Sequence, residues 1–280
     1  MTIQAPAKVN LVLRILAKRA DGYHDIETLM VPVSLSDELD VEVSTGTGIQ
    51  IVCDDPDIPV DSSNLIWQAT DVFVRHTGLT FLTRVVLKKH IPHGAGLGGG
   101  SSDAAALLKA LDNLHGTNLG VQQLERLASV IGSDVPFFIR GRPAFCRGRG
   151  ELMEESGEIP SAHLLLVKPP FPVSTREAYQ ACSARGAMAA TRPGAQYLGG
   201  TELLNDLEAP VFKKFLLLPV IKAWLLEQEE VTSAMMSGSG STLFAVLRNG
   251  AGTLGHRAKA RFGQHLWTSE VVLNPPAAEL

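Results

Sequence analysis

Alternating apolar residues predict that the chain begins with a long β-strand over residues 5–16. Successive side chains of a strand point to opposite sides, so the apolar positions share one face. These positions are Ala7, Val9, Leu11, Leu13 and Ile15. Lys8 and Asn10 lie together on the opposite face. A single lysine there would be an ordinary solvated charge, whereas two polar groups opposite an apolar row favour a polar cleft.

The rest of the chain mixes the strand and helix periods, which predicts an α+β protein. Further strands are expected at residues 26–33, 38–43, 49–53, 83–90, 164–167, 243–246 and 270–273. Helices are expected at residues 64–77, 121–131, 220–228 and 251–262, and residues 203–208 are expected to form the start of another. Residues 54–63, 141–157 and 183–200 are predicted to be loops, and a shift in composition predicts a domain boundary near residue 155.

Composition narrows the class of protein. The 280 residues are 45% apolar and 19% charged with a net charge of −4, which argues against a broad surface for nucleic acid or anionic membranes. No run of 18 apolar residues is present in the sequence. Three isolated cysteines suit a reducing compartment and supply no metal framework. No leader-like segment opens the sequence, so we expect a cytoplasmic protein.

The densest chemical signal is a glycine-rich run at residues 91–106, Ile-Pro-His-Gly-Ala-Gly-Leu-Gly-Gly-Gly-Ser-Ser-Asp-Ala-Ala-Ala. Glycines let the backbone bend and let N–H groups approach a ligand closely. Apolar residues at helical spacing follow directly, with Ser101 or Ser102 as the expected cap and Gly116 as the expected stop. Free N–H groups, a helix N-terminus and hydroxyls meet at one place, which predicts a site for an anion such as phosphate.

Three other interpretations of the glycine-rich run fit less well. A flexible linker need not end in serines that open a helix. The dinucleotide fingerprint matches Gly94, Gly96 and Gly99, but it requires an acidic residue about 20 residues later. Residues 118–121 contain no acid. A Walker loop is excluded because the chain has no Gly-Lys pair.

Two acidic residues near predicted helix ends have open roles. Asp103 lies in the first turn after the glycines, where a carboxylate suits the helix dipole but repels a bare phosphate. It either shares a magnesium ion with the phosphate or faces solvent. Asp134 lies between a predicted helix end and the apolar residues 135–139. It is therefore either a helix cap or a partly buried carboxylate.

The glycine-rich run resembles the phosphate loop of the GHMP small-molecule kinases. Four further stretches resemble this family in order and spacing: residues 6–11 (Pro-Ala-Lys-Val-Asn-Leu), 19–24 (Arg-Ala-Asp-Gly-Tyr-His), 132–137 (Gly-Ser-Asp-Val-Pro-Phe) and 237–241 (Ser-Gly-Ser-Gly-Ser). The stretch at 19–24 discriminates within the family. It resembles the members that phosphorylate a cytidine-diphosphate-linked methylerythritol, on its 2-hydroxyl, in non-mevalonate isoprenoid synthesis.

The resemblance implies a two-domain α+β GHMP kinase fold with the active site between the domains. The N-terminal domain, over residues 1–155, would be like that of a small-subunit ribosomal protein, and the C-terminal domain, over 160–280, would be ferredoxin-like. The resemblance also implies that Asp134 is the general base and that Lys8 is its supporting cation. ATP with Mg²⁺ would bind along the loop formed by Pro92, His93, Gly94, Ala95, Gly96, Leu97, Gly98, Gly99, Gly100, Ser101 and Ser102.

For the acceptor, the resemblance implies that Tyr23 stacks on cytosine, that His24 hydrogen-bonds the edge of this base, and that Asn10 lies near the sugar alcohol. Tyr179, in a shorter Thr-x-x-x-aromatic match at 175–179, would close the stack from the other side. Residues 183–200 have no counterpart in the family. The turn at 237–240 reads Ser-Gly-Ser-Gly where many relatives have Gly-Thr-Gly.

Two rival functions stay open at this point. One is a GHMP kinase with another acceptor, such as mevalonate or homoserine, and the stretch at 19–24 argues against it. The other is a binding protein with the same fold and no activity, which would not need both Lys8 and Asp134. Whichever acceptor a kinase of this type uses, we expect ATP and a small molecule as its ligands, with no nucleic acid and no membrane.

Overall fold

The computed structural model describes residues 1–183 and 195–276, in which strands and helices are interspersed. The strands are β1 (Thr2–Lys18), β2 (His24–Ser44), β3 (Gly48–Cys53), β4 (Leu82–Lys88), β5 (Ala144–Arg147), β6 (Leu152–Glu155), β7 (Ala162–Lys168), β8 (Gln196–Leu198), β9 (Thr201–Asn205), β10 (Val231–Met236), β11 (Leu243–Leu247) and β12 (Trp267–Leu273). The helices are α1 (Leu65–Thr77), α2 (Gly99–His115), α3 (Val121–Ile131), α4 (Val135–Arg140), α5 (Thr175–Ser183), α6 (Glu208–Lys214), α7 (Leu217–Leu226) and α8 (Leu254–Phe262). In these two ranges, no helix combines the length and apolar character needed to cross a bilayer.

A sheet runs through the described strands in the order β10-β11-β7-β12-β2-β1-β9-β8. β1 and β2 form its long antiparallel centre, and β4 and β5 pair with separate stretches of β2. The C-terminal half joins this centre at two places, where β9 pairs with β1 and β12 pairs with β2. The two halves of the chain therefore share backbone hydrogen bonds, and the boundary near residue 155 stays a prediction.

β1 is buried on both faces where it passes the middle of the molecule. Its predicted apolar row, from Ala7 to Ile15, is confirmed as part of the core. Lys8 and Asn10, on the opposite face, are only 4% and 3% exposed. Burying a charge is costly unless polar partners surround it, so this face of β1 borders a polar site rather than bulk solvent.

α2 is held firmly inside the N-terminal half of the protein. Its residues from Ser102 to Leu108 are all buried, and the helix packs against β1, β2 and the helices α1, α3 and α4. Three consecutive alanines, Ala104–Ala106, allow close approach because they add little volume. This packing fixes the position of the N-terminus of α2, where the glycine-rich run ends.

Several local predictions are wrong for tertiary reasons. Residues 26–33 and 38–43 belong to one strand, β2. Asp37, which lies between them, does not interrupt the strand, because its carboxylate is buried and accepts hydrogen bonds from the backbone N–H groups of His90 and Ile91. Residues 141–157 contain the hairpin β5–β6, whose first strand adds to β2. The helix predicted from residue 203 begins only at Glu208, because residues 203–205 belong to β9, which pairs in parallel with β1.

The apolar residues 135–139, to which the sequence pattern assigned no element, form most of the short helix α4. The loop predicted at residues 183–200 falls largely outside the described residues, but its end contains the strand β8, which pairs with β9.

Candidate active site

A cleft of about 390 Å³ opens where β1, the glycine-rich run and the turn between β10 and β11 meet. Short distances between the residues that line the cleft show the direction in which it runs. A Cβ atom at Gly100 would lie 3.8 Å from Leu65 Cδ1, and one at Gly98 would lie 3.2 Å from Lys8 Cε. Lys8 Nζ in turn lies 3.7 Å from the Asp134 carboxylate. The cleft therefore runs from Leu65 past the glycines to Lys8 and Asp134.

The glycine-rich run has the conformation that its composition predicts. Gly94, Gly96 and Gly98 have φ values of 61°, 75° and 76°, a left-handed region that favours glycine. Every residue from Pro92 to Ser101 lines the cleft. The predicted serine cap is wrong, because α2 begins directly after Gly98 without a side-chain cap, and Ser102 is buried inside the first turn.

The turn between β10 and β11 holds this run in place. A Cβ atom at Gly96 would lie 2.3 Å from the Ser237 carbonyl oxygen, so only glycine fits there. Ser237 Oγ donates to the Gly96 carbonyl at 3.0 Å, and Thr242 N donates to the Ala95 carbonyl at 3.3 Å. The second glycine–serine turn of the sequence thus forms part of the cleft, to which it also contributes Gly238.

Lys8 lies at the centre of a polar network that crosses the cleft. Its Nζ donates to Asn10 Oδ1 at 2.6 Å and to the Gly96 carbonyl at 3.0 Å, and Asn10 Nδ2 donates to Thr28 Oγ1 at 2.8 Å. Burial lowers the pKa of the Lys8 ammonium group, and the nearby Asp134 carboxylate opposes this shift. The network orients the ammonium toward both the glycine-rich run and Asp134.

Asp134 precedes α4 at its N-cap position, but its carboxylate makes no capping hydrogen bond. The cap interpretation is therefore wrong, and the alternative of a partly buried carboxylate is confirmed. The side chain remains 39% exposed and lines the cleft. A carboxylate that faces open space beside a buried ammonium can accept a proton from a bound ligand.

Asp103 is buried, so the predicted alternative in which it faces solvent is wrong, whereas its shared magnesium ion stays a prediction. Its Oδ2 accepts a hydrogen bond from Lys89 Nζ at 2.8 Å, and the same ammonium bonds to Asp37. Asp37 also accepts the backbone N–H groups of His90 and Ile91, at 2.6 and 2.8 Å. This buried trio anchors the residues that lead into the glycine-rich run.

Replacing Asp103 by asparagine should change how stability depends on pH. Burial raises the pKa of Asp103 to about 7, against 3.8 in an exposed carboxyl, although Lys89 opposes this shift. Between these two values, the folded protein binds more protons than the unfolded chain, so wild-type stability falls as the pH rises. From pH 5 to pH 8, the stability of Asp103→Asn relative to wild type should therefore increase by roughly 1–3 kcal/mol.

Urea unfolding of both proteins at the two pH values measures this difference. Asp112→Asn is a matched control, because the Asp112 carboxylate accepts hydrogen bonds from Thr117 Oγ1 and Leu119 N away from the cleft. A stability difference between Asp103→Asn and wild type that is the same at pH 5 and pH 8 would contradict the expectation.

The aromatic residues predicted for the acceptor lie at two places. The rings of His24 and Tyr179 are neighbours, with centroids 5.9 Å apart, and Tyr179 lines the cleft. Burial lowers the pKa of His24 and raises that of the Tyr179 phenol. Tyr23 is 57% exposed, and its ring lies 5.1 Å from the Arg149 guanidinium carbon. The structure thus brings His24 and Tyr179 together and places Tyr23 against Arg149.

Several residues in the cleft or beside it were not singled out as site residues from the sequence. Asp37 and Lys89 do not belong to any apolar period in the sequence, so no pattern pointed to them. The position of Lys89, directly after the strand that leads into the glycine-rich run, is the signal that could have identified it. Arg149 lies in residues 147–151, Arg-Gly-Arg-Gly-Glu, which look like an ordinary polar loop. Thr175 and Ser239 both line the cleft, and their hydroxyls lie 2.9 Å apart.

Known proteins resemble this chain over most of its length. Residues 64–142 match the family model described as GHMP kinases N terminal domain. The 4-diphosphocytidyl-2-C-methyl-D-erythritol kinase of Methylacidiphilum infernorum is 43% identical over 246 residues, which cover 86% of this chain and 84% of that protein. The kinase of the same name from Geobacter sulfurreducens is 37% identical over 250 residues, with coverages of 88% and 89%.

Solved structures agree with these relatives. A crystal structure of 4-(cytidine 5'-diphospho)-2C-methyl-D-erythritol kinase superposes with a TM-score of 0.82 at 33% identity and covers 98% of this chain and 100% of that chain. The homoserine kinase of Cytophaga hutchinsonii, at 18% identity, TM-score 0.70 and coverages of 97% and 93%, shares the fold alone. The predicted two-domain α+β GHMP kinase fold and the ATP-dependent kinase class are confirmed. The chain belongs to the 4-diphosphocytidyl-2-C-methyl-D-erythritol kinases, a family of ATP-dependent GHMP kinases in the non-mevalonate pathway to isoprenoids.

Proposed function

We propose that this chain transfers the γ-phosphoryl group of ATP to the 2-hydroxyl group of 4-diphosphocytidyl-2-C-methyl-D-erythritol, with Lys8 and Asp134 as its catalytic pair. The observation that carries the proposal is that a buried ammonium and a partly exposed carboxylate lie 3.7 Å apart, in one cleft with the glycine-rich run. A phosphoryl-transfer site requires an anion cradle, a proton acceptor and a compensating cation within reach of one another.

The residues from Pro92 to Ser102 would hold the triphosphate. Left-handed glycines bring backbone N–H groups to the cleft wall without side chains in the way, and the N-terminus of α2 adds its partial positive charge. Leu97 and Ala95 are buried, so their side chains anchor the loop while their backbone faces the cleft. The apolar wall formed by Ile58, Pro59 and Leu65 suits the nucleoside end of ATP.

Mg²⁺ would accompany the triphosphate, where it neutralises charge on the β- and γ-phosphates. The hydroxyls of Ser101 and Ser102 fit this ion. Ser101 lines the cleft, and Ser102 Oγ is buried without a hydrogen-bond partner among the described residues. Mg²⁺ in kinases usually binds through the phosphates and only one or two protein oxygens, so a cage of carboxylates is not required.

Asp134 would accept the proton of the acceptor hydroxyl as its oxygen attacks the γ-phosphorus and the bond to ADP breaks. The Lys8 ammonium, 3.7 Å from this carboxylate, would attract the negative charge that develops on the attacking oxygen. General-base help contributes roughly 10²–10⁴-fold to the rate. The remaining acceleration must come from positioning, for which Asn10 and the Gly96 carbonyl hold the ammonium in place.

The acceptor would lie on the Asp134 side of Lys8. Asn10 would contact the sugar alcohol, and His24 and Tyr179, whose rings are adjacent, would contact cytosine. Tyr23, at the exposed edge of this region, would stack on the same base. Each stacked ring is worth roughly 1–3 kcal/mol for a nucleobase.

Release of ADP from ATP, measured over a panel of acceptors, tests the proposed function. The panel contains cytidylylated methylerythritol, free methylerythritol, mevalonate and homoserine. We expect turnover with the first, and ³¹P NMR should place the new phosphate on the 2-hydroxyl. Turnover with mevalonate or homoserine alone would contradict the acceptor, and no turnover with any of the four would contradict the kinase function.

Tyr23→Ala should raise the KM for the acceptor about 5- to 150-fold, because it removes one stacking ring, and it should leave the KM for ATP nearly unchanged. Tyr23→Phe keeps the ring and is the matched control. Steady-state kinetics with each substrate varied in turn give both constants. Equal increases in the two KM values would place Tyr23 on the ATP side.

A further inference from the structure

Among the described residues, three lysines or arginines line the cleft: Lys8, Lys89 and Arg149. Lys8 and Lys89 are buried and are held by carboxylates, Lys8 beside Asp134 and Lys89 between Asp37 and Asp103. Their charge is thus largely compensated within the protein. A ligand with two anionic groups needs further positive charge where it binds, because desolvated anions are costly without a partner.

Arg149 is the cation whose charge is least compensated. Its nearest carboxylate, Glu151, lies 4.0 Å from Nε, which is beyond hydrogen-bond distance. In the part of the chain that the structure describes, the guanidinium makes no hydrogen bond, and its carbon lies 5.1 Å from the centroid of the Tyr23 ring. A guanidinium has five N–H donors in a planar fork, so most of its bonding capacity is left for a ligand.

The turn that carries Arg149 is built rigidly. It joins β5 to β6, and it is fixed to β2 by a hydrogen bond from Ile26 N to the Gly148 carbonyl at 2.8 Å. Within the turn, the Arg149 N–H donates to Glu151 Oε2 at 2.7 Å. A Cβ atom at Gly150 would lie 3.9 Å from Asp134 Oδ1. Arg149 is therefore held on the Asp134 side of the cleft, away from Leu65 and the apolar wall.

We propose that Arg149 binds the diphosphate of the nucleotide-linked acceptor, with its guanidinium packed over the Tyr23 ring. The planar fork matches two phosphate oxygens, which a lysine cannot contact in the same way. A contact from Arg149 would place the phosphates next to the stacked base at one end and the hydroxyl near Asp134 at the other. This inference rests on the proposed function, because it names the residue that recognises the diphosphate of the proposed acceptor.

Three variants separate this role from a structural one. Arg149→Met removes the charge and keeps an apolar stem over Tyr23, whereas Arg149→Lys keeps the charge without the fork. Arg147→Met is the matched control, because Arg147 lies in the same hairpin, pairs with Glu154 and Glu27, and does not line the cleft. Melting temperatures confirm that all three are folded before kinetics are measured.

We expect Arg149→Met to raise the KM for the acceptor about 10- to 100-fold, with the KM for ATP unchanged, and Arg149→Lys to lie between it and wild type. Calorimetric titration with CDP and with cytidine, in the presence of a saturating non-hydrolysable ATP analogue, gives a second measurement. Arg149→Met should lose about the same factor in affinity for CDP and keep the wild-type affinity for cytidine. Arg147→Met should match wild type in every measurement.

Three results would overturn the inference while the proposed function stands: an acceptor KM in Arg149→Met within about twofold of wild type, equal losses of CDP and cytidine affinity, or an increase in the KM for ATP instead. Wild-type protein that binds neither CDP nor the acceptor would overturn the proposed function itself, and the inference with it. The wild-type titration, done first, therefore distinguishes the two failures.

Discussion

Asp134→Asn is expected to lower kcat about 10²- to 10⁴-fold while both substrates still bind. Asparagine keeps the shape of aspartate and its capacity for hydrogen bonds, but it cannot accept the proton of the attacking hydroxyl. Since the Asp134 carboxylate makes no capping hydrogen bond to α4, the substitution should leave the melting temperature close to that of wild type. Steady-state kinetics and thermal unfolding on the same preparations measure both quantities.

Lys8→Met extends this test to the second member of the pair. Methionine retains much of the apolar stem and removes the charge, so this variant should also act mainly on kcat. If the two side chains act as a unit, the double variant should lose much less than the product of the two single effects. Multiplicative losses in the double variant would mean that the two groups contribute independently.

Asp112→Asn serves as the control for a structural aspartate. The Asp112 carboxylate accepts the hydroxyl of Thr117 at 2.6 Å and the backbone N–H of Leu119 at 2.8 Å, outside the cleft. Its loss should lower the melting temperature and leave kcat near the wild-type value. Near-normal turnover in Asp134→Asn, combined with a lowered melting temperature, would contradict the catalytic role proposed for Asp134.

Gly100→Val is expected to weaken binding of an ATP analogue about 10- to 100-fold in a protein that remains folded. Apart from its own helix backbone and chain neighbours, a Cβ atom at Gly100 would meet only Leu65 among the described residues, at 3.8 Å, and Gly100 lines the cleft, so the new side chain would enter the cleft. There it would displace the phosphates from the backbone N–H groups, and a hydrogen bond to a charged group is worth about 1.5–3 kcal/mol. Calorimetric titration with a non-hydrolysable ATP analogue measures the loss.

Gly98→Val, a natural choice from the sequence, is less suitable for this purpose. A Cβ atom at Gly98 would lie 2.7 Å from Phe138 Cζ, and the backbone has a φ of 76°, so valine there would disturb the core as well as the ligand. Gly157→Val is the matched control, because a Cβ atom there would meet no described residue beyond its chain neighbours within 4 Å, and Gly157 is outside the cleft. Wild-type affinity in folded Gly100→Val would contradict the position proposed for the triphosphate.

The elements that the sequence predicted well are those whose signal is local. Helix α3 has the predicted bounds, and the alternation of β1 identifies its buried face correctly. The glycine-rich run leads into a helix as its composition predicts, because left-handed backbone favours glycine and the apolar period resumes directly afterwards. In each case, the cause lies within a few neighbouring residues, so the chain itself carries the information.

The roles of Lys8 and Asp134 entered through resemblance to a family, since neither residue has a local signature of catalysis. Sequence alone left Asp134 as a cap or a partly buried carboxylate. The tertiary structure chose the second, because α4 begins without a side-chain cap and β1 brings Lys8 within 3.7 Å of the carboxylate. Residues far apart in the chain meet through sheet register and helix packing, which local periodicity does not encode.

Thus the sequence by itself determined the α+β fold class, the glycine-rich turn that leads into α2 and the polar face of β1. Only the tertiary structure decided that Asp103 belongs to a buried trio with Lys89 and Asp37, and that Arg149 lines the cleft beside Tyr23. The physical reason is that a charge acquires its role from its partners. Lys89 lies 52 positions from Asp37, and they become partners only when β2 and the end of β4 lie side by side in the folded sheet.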